Sequence, residues 1–201
     1  MSNAFDAKAA TWDADARRQA MAADLVAAIA ARIPLVAGQR LLDVGCGTGL
    51  IGLPLAERTG RVLGIDVSAG MVERFTAKAA GRPGVAAEVR DLIADPLPAG
   101  SIDVAVSAMA FHHIGPVEAM LRSLADCLAP GGWLAIADLE SEDGSFHDEP
   151  VPHLGFAPAA FLALMRDAGL QPLAQERVHV MRKANGRDYP IFLAFARKPA
   201  V

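Results

Sequence analysis

The residues best equipped for chemistry come early, in Asp43-Val44-Gly45-Cys46-Gly47-Thr48-Gly49, between Leu41-Leu42 and Leu50-Ile51-Gly52-Leu53. An acid at the end of an apolar run, followed by alternate glycines and a second apolar run, reads as a strand, a tight turn and a helix start. Glycines lacking Cβ reach unusual φ/ψ and let a ligand lie against the backbone. The helix start offers unpaired N–H groups to a carboxylate or phosphate. A dinucleotide fingerprint requires Gly-x-Gly-x-x-Gly, but counting from Gly45 its last position is Leu50. A second acid, Asp66, ends the apolar run Arg61-Val62-Leu63-Gly64-Ile65. It lies roughly 20 residues beyond the first strand, as a ribose-binding carboxylate requires, and can accept hydrogen bonds from both ribose hydroxyls.

Further along, Val85–Val89 reads as a short strand before Arg90-Asp91-Leu92, and Ile102–Val106 as a strand running into Ser107-Ala108-Met109-Ala110-Phe111-His112-His113-Ile114. Imidazole titrates near neutrality, so His112 or His113 is a candidate proton acceptor. Consecutive residues leaving a strand point to opposite sides, so at most one of the pair is expected to face a ligand; the alternative is that the pair only shapes the loop. His147 and His153, with Asp138, Glu140 and Asp148, form a second set of donors. Their spacing matches no recognised ligand pattern, and no metal site is expected. The two cysteines, Cys46 and Cys127, have no metal spacing either. Cys46 is expected to fill the glycine turn without a catalytic role, and the absence of a disulfide pattern suits a cytoplasmic protein.

Taken in order, acidic-x-Gly-x-Gly-x-Gly at 43–49, Asp66, Arg90-Asp91-Leu92 and the Pro130-Gly131-Gly132 turn before Trp133-Leu134-Ala135-Ile136 resemble the class I S-adenosylmethionine-dependent methyltransferases of the small-molecule type. The resemblance covers about residues 39–140. It implies an α/β fold, a Rossmann-like three-layer sandwich with a seven-stranded, mostly parallel sheet and an antiparallel C-terminal hairpin. It also implies S-adenosylmethionine as cofactor and S-adenosylhomocysteine as product. The cofactor-binding positions carried over are Asp43, Gly45, Cys46, Gly47, Gly49, Asp66, Val67, Asp91, Leu92 and Ala108. Asp66 would hold the ribose and Asp91 the adenine amino group, with the next backbone N–H on the ring; nearby Asp95 is the alternative acid for the second role. The reaction implied is an in-line methyl transfer to a small-molecule acceptor, with His112 and His113 as catalytic candidates. Met109-Ala110-Phe111-His112 stands where enzymes acting on nucleic-acid bases carry Asn/Asp-Pro-Pro-Tyr/Phe, which argues against a nucleic-acid substrate. Two other readings remain: a protein that binds the cofactor or its product without transferring, and a nucleotide-dependent oxidoreductase. Leu50 and the lack of a Tyr-x-x-x-Lys pair disfavour the second, since the only tyrosine is Tyr189.

Several elements must position these residues. Met21, Leu25, Ile29 and Ile33 repeat on one face of a helix over Arg17–Ile33, and further helices are expected at about 50–58, 69–80, 116–128 and 158–168. Ser68 is the expected N-cap of the third. Strands at about 172–181 and 189–197 flank Asn185-Gly186, a hairpin signal. Alternating strands and helices predict a largely parallel sheet covered on both faces. With 201 residues the chain suits one domain. Its expected parts are an N-terminal helical arm or lid (1–37), a cofactor-binding core (39–140), a substrate-facing loop (141–157) and a C-terminal helix and hairpin (158–201). Phe5 and Trp12 are the candidate lid aromatics. A net charge of −4 argues against a nucleic-acid partner, no membrane span is readable, and a monomer or homodimer is expected.

Overall fold

Alternating apolar residues along the strands bury both faces of a single sheet. Leu41 contributes to one core cluster and Leu42 to the other, as do Val104 and Ala105, then Leu134 and Ala135. The computed structural model describes residues 5–200; residues 1–4 of the arm and Val201 lie outside the described residues. The elements in chain order are α1 (Ala16–Arg32), β1 (Arg40–Val44), α2 (Gly52–Thr59), β2 (Arg61–Asp66), α3 (Ala69–Ala79), β3 (Val85–Val89), β4 (Ile102–Ala108), α4 (Val117–Cys127), β5 (Leu128–Leu139), α5 (Pro158–Asp167), β6 (Gln171–Arg182) and β7 (Asp188–Arg197). Residues of α1, α2 and α3 pack in one cluster, and those of α4 and α5 in the other. A three-layer sandwich results.

The sheet has seven strands in the order β3-β2-β1-β4-β5-β7-β6. β1 pairs in parallel with both β2 and β4, and β5 in parallel with β4. β7 pairs antiparallel with β5 and with β6. Only β7 therefore runs against the rest, and β6 returns to the common direction. The β6–β7 hairpin turns at Gly186, with φ of 78° and its N–H on Lys183 O at 2.9 Å. The turn at Pro130-Gly131-Gly132 lies inside β5, where a register shift separates the Ile102–Leu128 pair from the Val104–Trp133 pair.

The order in which strands are added reverses between β1 and β4, which themselves run parallel. From β1 the chain winds outward to β2 and β3, then crosses back to β4 on the other side. In open α/β sheets ligands bind outside the carboxyl ends of the strands at such a switch point. The ends of β1, β2, β3 and β4 are Val44, Asp66, Val89 and Ala108, so the segments picked out by residue type follow one edge. No helix among the described residues is long and apolar enough to cross a membrane.

Candidate active site

One cavity of about 1020 Å³ opens at this edge, and every predicted cofactor-binding position except Gly49 lines it. Gly49 stands behind the loop, where a Cβ would lie 2.7 Å from both Leu53 and Phe75 side-chain atoms. Gly47 has φ of 51°, and a Cβ there would meet nothing within 4 Å. The turn is thus closed on its protein side and bare on its cavity side. A ligand can lie directly on the Gly47 backbone.

Two carboxyl groups frame this turn. Asp43 is buried at the end of β1, and the Gly52 N–H donates to its Oδ2 at 2.9 Å, tying strand to helix. Burial raises its pKa to about 7, with the Asp66 charge adding to the effect. Asp66 accepts from Gly47 N–H on Oδ2 and from Ser68 N–H on Oδ1, both at 2.9 Å. Burial also pushes Asp66 upward, against these bonds. Two desolvated acids beside a bare glycine turn favour a ligand that carries positive charge and hydroxyls over one presenting a pyrophosphate. That is the donor chemistry an S-adenosylmethionine site requires, and the residues present fit it.

Asp91 turns back on its own loop, accepting from Ile93 N–H at 2.9 Å while lining the cavity. Asp95 is instead held by Arg90 at 2.7 Å with its side chain 70% exposed. Leu92 is buried, and exposed Val67 sits beside Asp66 on the rim. Cys46 packs into the space left by Gly64, and burial pushes its thiol far up, as expected of a filler.

The histidines depart from the expectation. Both His112 and His113 line the cavity, although consecutive strand residues would diverge. β4 ends at Ala108, Met109 takes a positive φ of 57°, and Phe111–His113 forms a 3-10 turn. Turn geometry therefore replaces the strand alternation. Asp138, near the end of β5 and fully buried, receives N–H groups of His112 on Oδ2 at 3.2 Å and Leu139 on Oδ1 at 2.7 Å. The His112 Nδ1–H donates to the same Oδ1 at 2.6 Å. With Nδ1 committed to Asp138, Nε2 is the ring nitrogen left for a ligand. His147 joins the pair, with ring centroids 4.7 Å from His112 and 5.3 Å from His113. Burial lowers the pKa of His113 and of His147 to about 4 each, and the neighbouring His112 adds to both shifts.

Of the other donors, Asp148 lines the cavity while His153 and Glu140 go elsewhere. His153 Nε2 meets Ile114 O at 3.0 Å and Gly115 O at 3.2 Å, and Glu140 pairs with Arg177 at 2.7 Å. His153 thus anchors the 141–157 loop, with the Phe156 N–H donating to Leu139 O at 2.9 Å. From the N-terminal side, Phe5 meets Trp12 edge-on at 5.9 Å and His113 at 5.0 Å, and both aromatics line the cavity. Asp6 receives the Gly70 N–H at 2.9 Å and the Ser68 hydroxyl, while Asp13 receives the Thr48 hydroxyl and the Lys78 ammonium. Asp138 and His147 were the functional candidates that spacing alone did not place. The readable signal was Asp138 itself, an acid in an apolar strand, which needs a partner once buried.

Comparison with known proteins agrees with this geometry. A family model described as a methyltransferase domain matches residues 41–132. The 27-O-demethylrifamycin SV methyltransferase of Amycolatopsis mediterranei is 35% identical over 164 residues, covering 75% of this chain and 60% of that protein. A ubiquinone biosynthesis O-methyltransferase of Marinobacter nauticus is 34% identical over 117 residues, covering 55% and 48%. The chain spans between about half and three-fifths of the length of curated relatives that it matches. Among solved structures, a chain from the complex of a methyltransferase with the Haloferax volcanii Trm112 methyltransferase activator superposes with TM-score 0.80. The match covers 97% of this chain and 96% of that one at 22% identity, and it speaks for the fold.

Proposed function

The chain belongs to the class I S-adenosylmethionine-dependent methyltransferases, and from that premise we propose that it methylates a hydroxyl oxygen of a small molecule. The observation that carries the reading is the continuity of one cavity from the bare Gly47 turn, Asp66 and Asp91 at one end to the Asp138-backed His112 at the other. The first end suits a charged, ribose-bearing cofactor, and the second suits a proton acceptor facing a bound hydroxyl. The names of both relatives quoted above specify oxygen methylation, of a rifamycin and in ubiquinone biosynthesis. Asp148 and Glu149 line the outer cavity, which suits an uncharged acceptor better than a phosphodiester backbone.

The bound cofactor supplies a methyl group on a sulfonium that is already an activated electrophile. The chain's own part is alignment and proton removal. Asp66 and the Gly45–Gly49 turn fix one reactant, and Phe5, Trp12, Phe146 and Ile114 wall the other against it. Alignment of this sort can supply roughly 7–11 kcal/mol of the barrier. Asp138 holds the His112 ring so that Nε2 is turned to the cavity as acceptor, a task worth about 10²–10⁴-fold in rate. The N-terminal segment, bonded at Asp6 and Asp13 to the loops that carry Ser68 and Thr48, closes the cavity over both reactants and limits water.

The test is transfer of labelled methyl from S-adenosylmethionine to a panel of phenols, aliphatic alcohols, amines and thiols. Turnover confined to hydroxyl acceptors is expected. Turnover confined to amines or thiols would overturn the oxygen assignment, and saturable cofactor binding with no turnover on any acceptor would favour a binding protein.

A further inference from the structure

We propose that His112, His113 and His147 together bind a divalent first-row transition ion of the zinc class, open toward the cavity so that the acceptor oxygen completes its coordination. This deepens the reading of the cavity's far end as the acceptor site and rests on it.

Three of the chain's five histidines meet here, each offering a nitrogen within 4.8 Å of the others. They come from two segments, the turn after β4 and the 141–157 loop, so local chain geometry does not force the meeting. His147 Nε2 is buried and has no hydrogen-bond partner among the described residues, and nor has the nearby loop's Glu142 Oε1. A buried, unpartnered imidazole nitrogen costs stability unless a ligand meets it. Behind the cluster, Asp138 holds His112 by Nδ1 at 2.6 Å. Such a carboxylate is the support that fixes tautomer and ring direction behind a metal-bound histidine.

Imidazole donors suit zinc, copper, iron and nickel rather than magnesium or calcium. Bonds of about 2.0–2.1 Å in a tetrahedral arrangement put donor nitrogens about 3.4 Å apart. The three need to draw in by at most about 1.5 Å, within reach of side-chain rotation on a turn and a loop. Three protein ligands leave a fourth position, the pattern of a catalytic rather than a structural site. In this state the His112 lone pair holds the ion, and the ion takes over the task of acidifying the acceptor. The acceptor's O–H proton leaves to water. Its oxygen then forms the new C–O bond while the C–S bond breaks, and the bonding pair returns to sulfur. No electron changes hands.

The experiment uses untagged full-length protein, treated with chelator and then dialysed. Co²⁺ is added and followed by visible absorption, Zn²⁺ is added and followed by calorimetry, and S-adenosylhomocysteine binding is measured on the same samples. The expected result is saturation at a single equivalent, with the intense d–d bands of four- or five-coordinate Co²⁺. His113→Gln and His147→Gln should each weaken ion binding by at least about 10-fold. His179→Gln, whose ring pairs with Asp24 away from the cavity, should leave it unchanged. No spectral change, or ion binding that survives in both cluster variants, overturns the ion site. If S-adenosylhomocysteine still binds in that case, the methyltransferase reading stands by itself. Ion binding without S-adenosylhomocysteine binding overturns that reading while the cluster remains a metal site.

Discussion

The two ends of the cavity are built in different ways. The cofactor end is made from contiguous chain: one glycine turn, the acids that close β1 and β2, and the Asp91-Leu92 step after β3. Much of its recognition is backbone, and its side chains already have backbone partners, as Asp43 does in Gly52 and Asp66 in Gly47 and Ser68. The acceptor end is assembled from distant pieces, namely residues 5–18, the turn at 111–113, Asp138, the loop around His147, and Met181 with Lys183 from β6. Its polar groups draw partners from several segments, and His147 Nε2 and Glu142 Oε1 have none among the described residues. This end offers pieces that can change separately, the turn at 111–113 and the loop around His147 among them, while its N-terminal piece is tied to the cofactor end at Ser68 and Thr48; such variation lets a single cofactor fold serve many acceptors.

Substitutions at the two ends should therefore separate cleanly. Asp138→Asn should have the largest effect, because it removes the charge that sets the His112 tautomer. Turnover should fall by about 10²–10⁴-fold with S-adenosylhomocysteine affinity unchanged, measured by steady-state kinetics beside calorimetry. Asp66→Ala should do the reverse. Loss of charge-assisted bonds to two hydroxyls weakens cofactor binding by about 1.5–3 kcal/mol, roughly 10–150-fold, and the maximal rate at saturating cofactor should change little. A variant in which both parameters fall together would break the division between the ends.

Asp43 tests the electrostatics of the cofactor end through stability. Its pKa rises on folding to about 7, so the native state holds the proton more tightly than the unfolded chain. The associated stability is fully present below the unfolded value of 3.8 and is lost as pH rises toward about 7. Asp66 shifts in the same direction. In the ligand-free protein Asp43→Asn should flatten this decline and raise stability above pH 7 by about 1–3 kcal/mol, read as the melting temperature across pH 4–8. An undiminished decline would mean other groups carry it. The smallest effect is expected of Gly47→Ala. Its positive φ costs about 1 kcal/mol or slightly more in stability, while the added methyl, directed into open cavity, lowers cofactor affinity several-fold.

The same contrast explains what the sequence revealed. Gly45, Gly47, Asp66 and Asp91 are legible because the chemistry and the backbone that positions it lie within a few residues. Helix boundaries were also close, with Ser68 capping α3 by accepting from Met71 N–H at 3.3 Å. The expected hairpin formed, yet only its second strand opposes the sheet, since β7 inserts between β5 and β6. Local signals set a turn but not the order of strands. The pairing of His112 with Asp138 spans 26 residues, and nothing in the spacing encodes it. The expectation that at most one of the two histidines faces the cavity fails because Met109 at positive φ and the 3-10 turn interrupt the alternation. His147 is visible as a potential donor, but spacing groups it with His153, Asp138, Glu140 and Asp148 rather than with His112 and His113.

Both ends of the cavity, as proposed, depend on the Gly45–Gly49 turn and Asp66 holding an S-adenosyl ligand. The most direct test is calorimetric titration of the protein with S-adenosylhomocysteine, NAD and NADP in parallel. Micromolar binding of S-adenosylhomocysteine, with neither dinucleotide binding, is the predicted result. Binding of a dinucleotide alone would contradict the account of the turn and of the reaction built upon it.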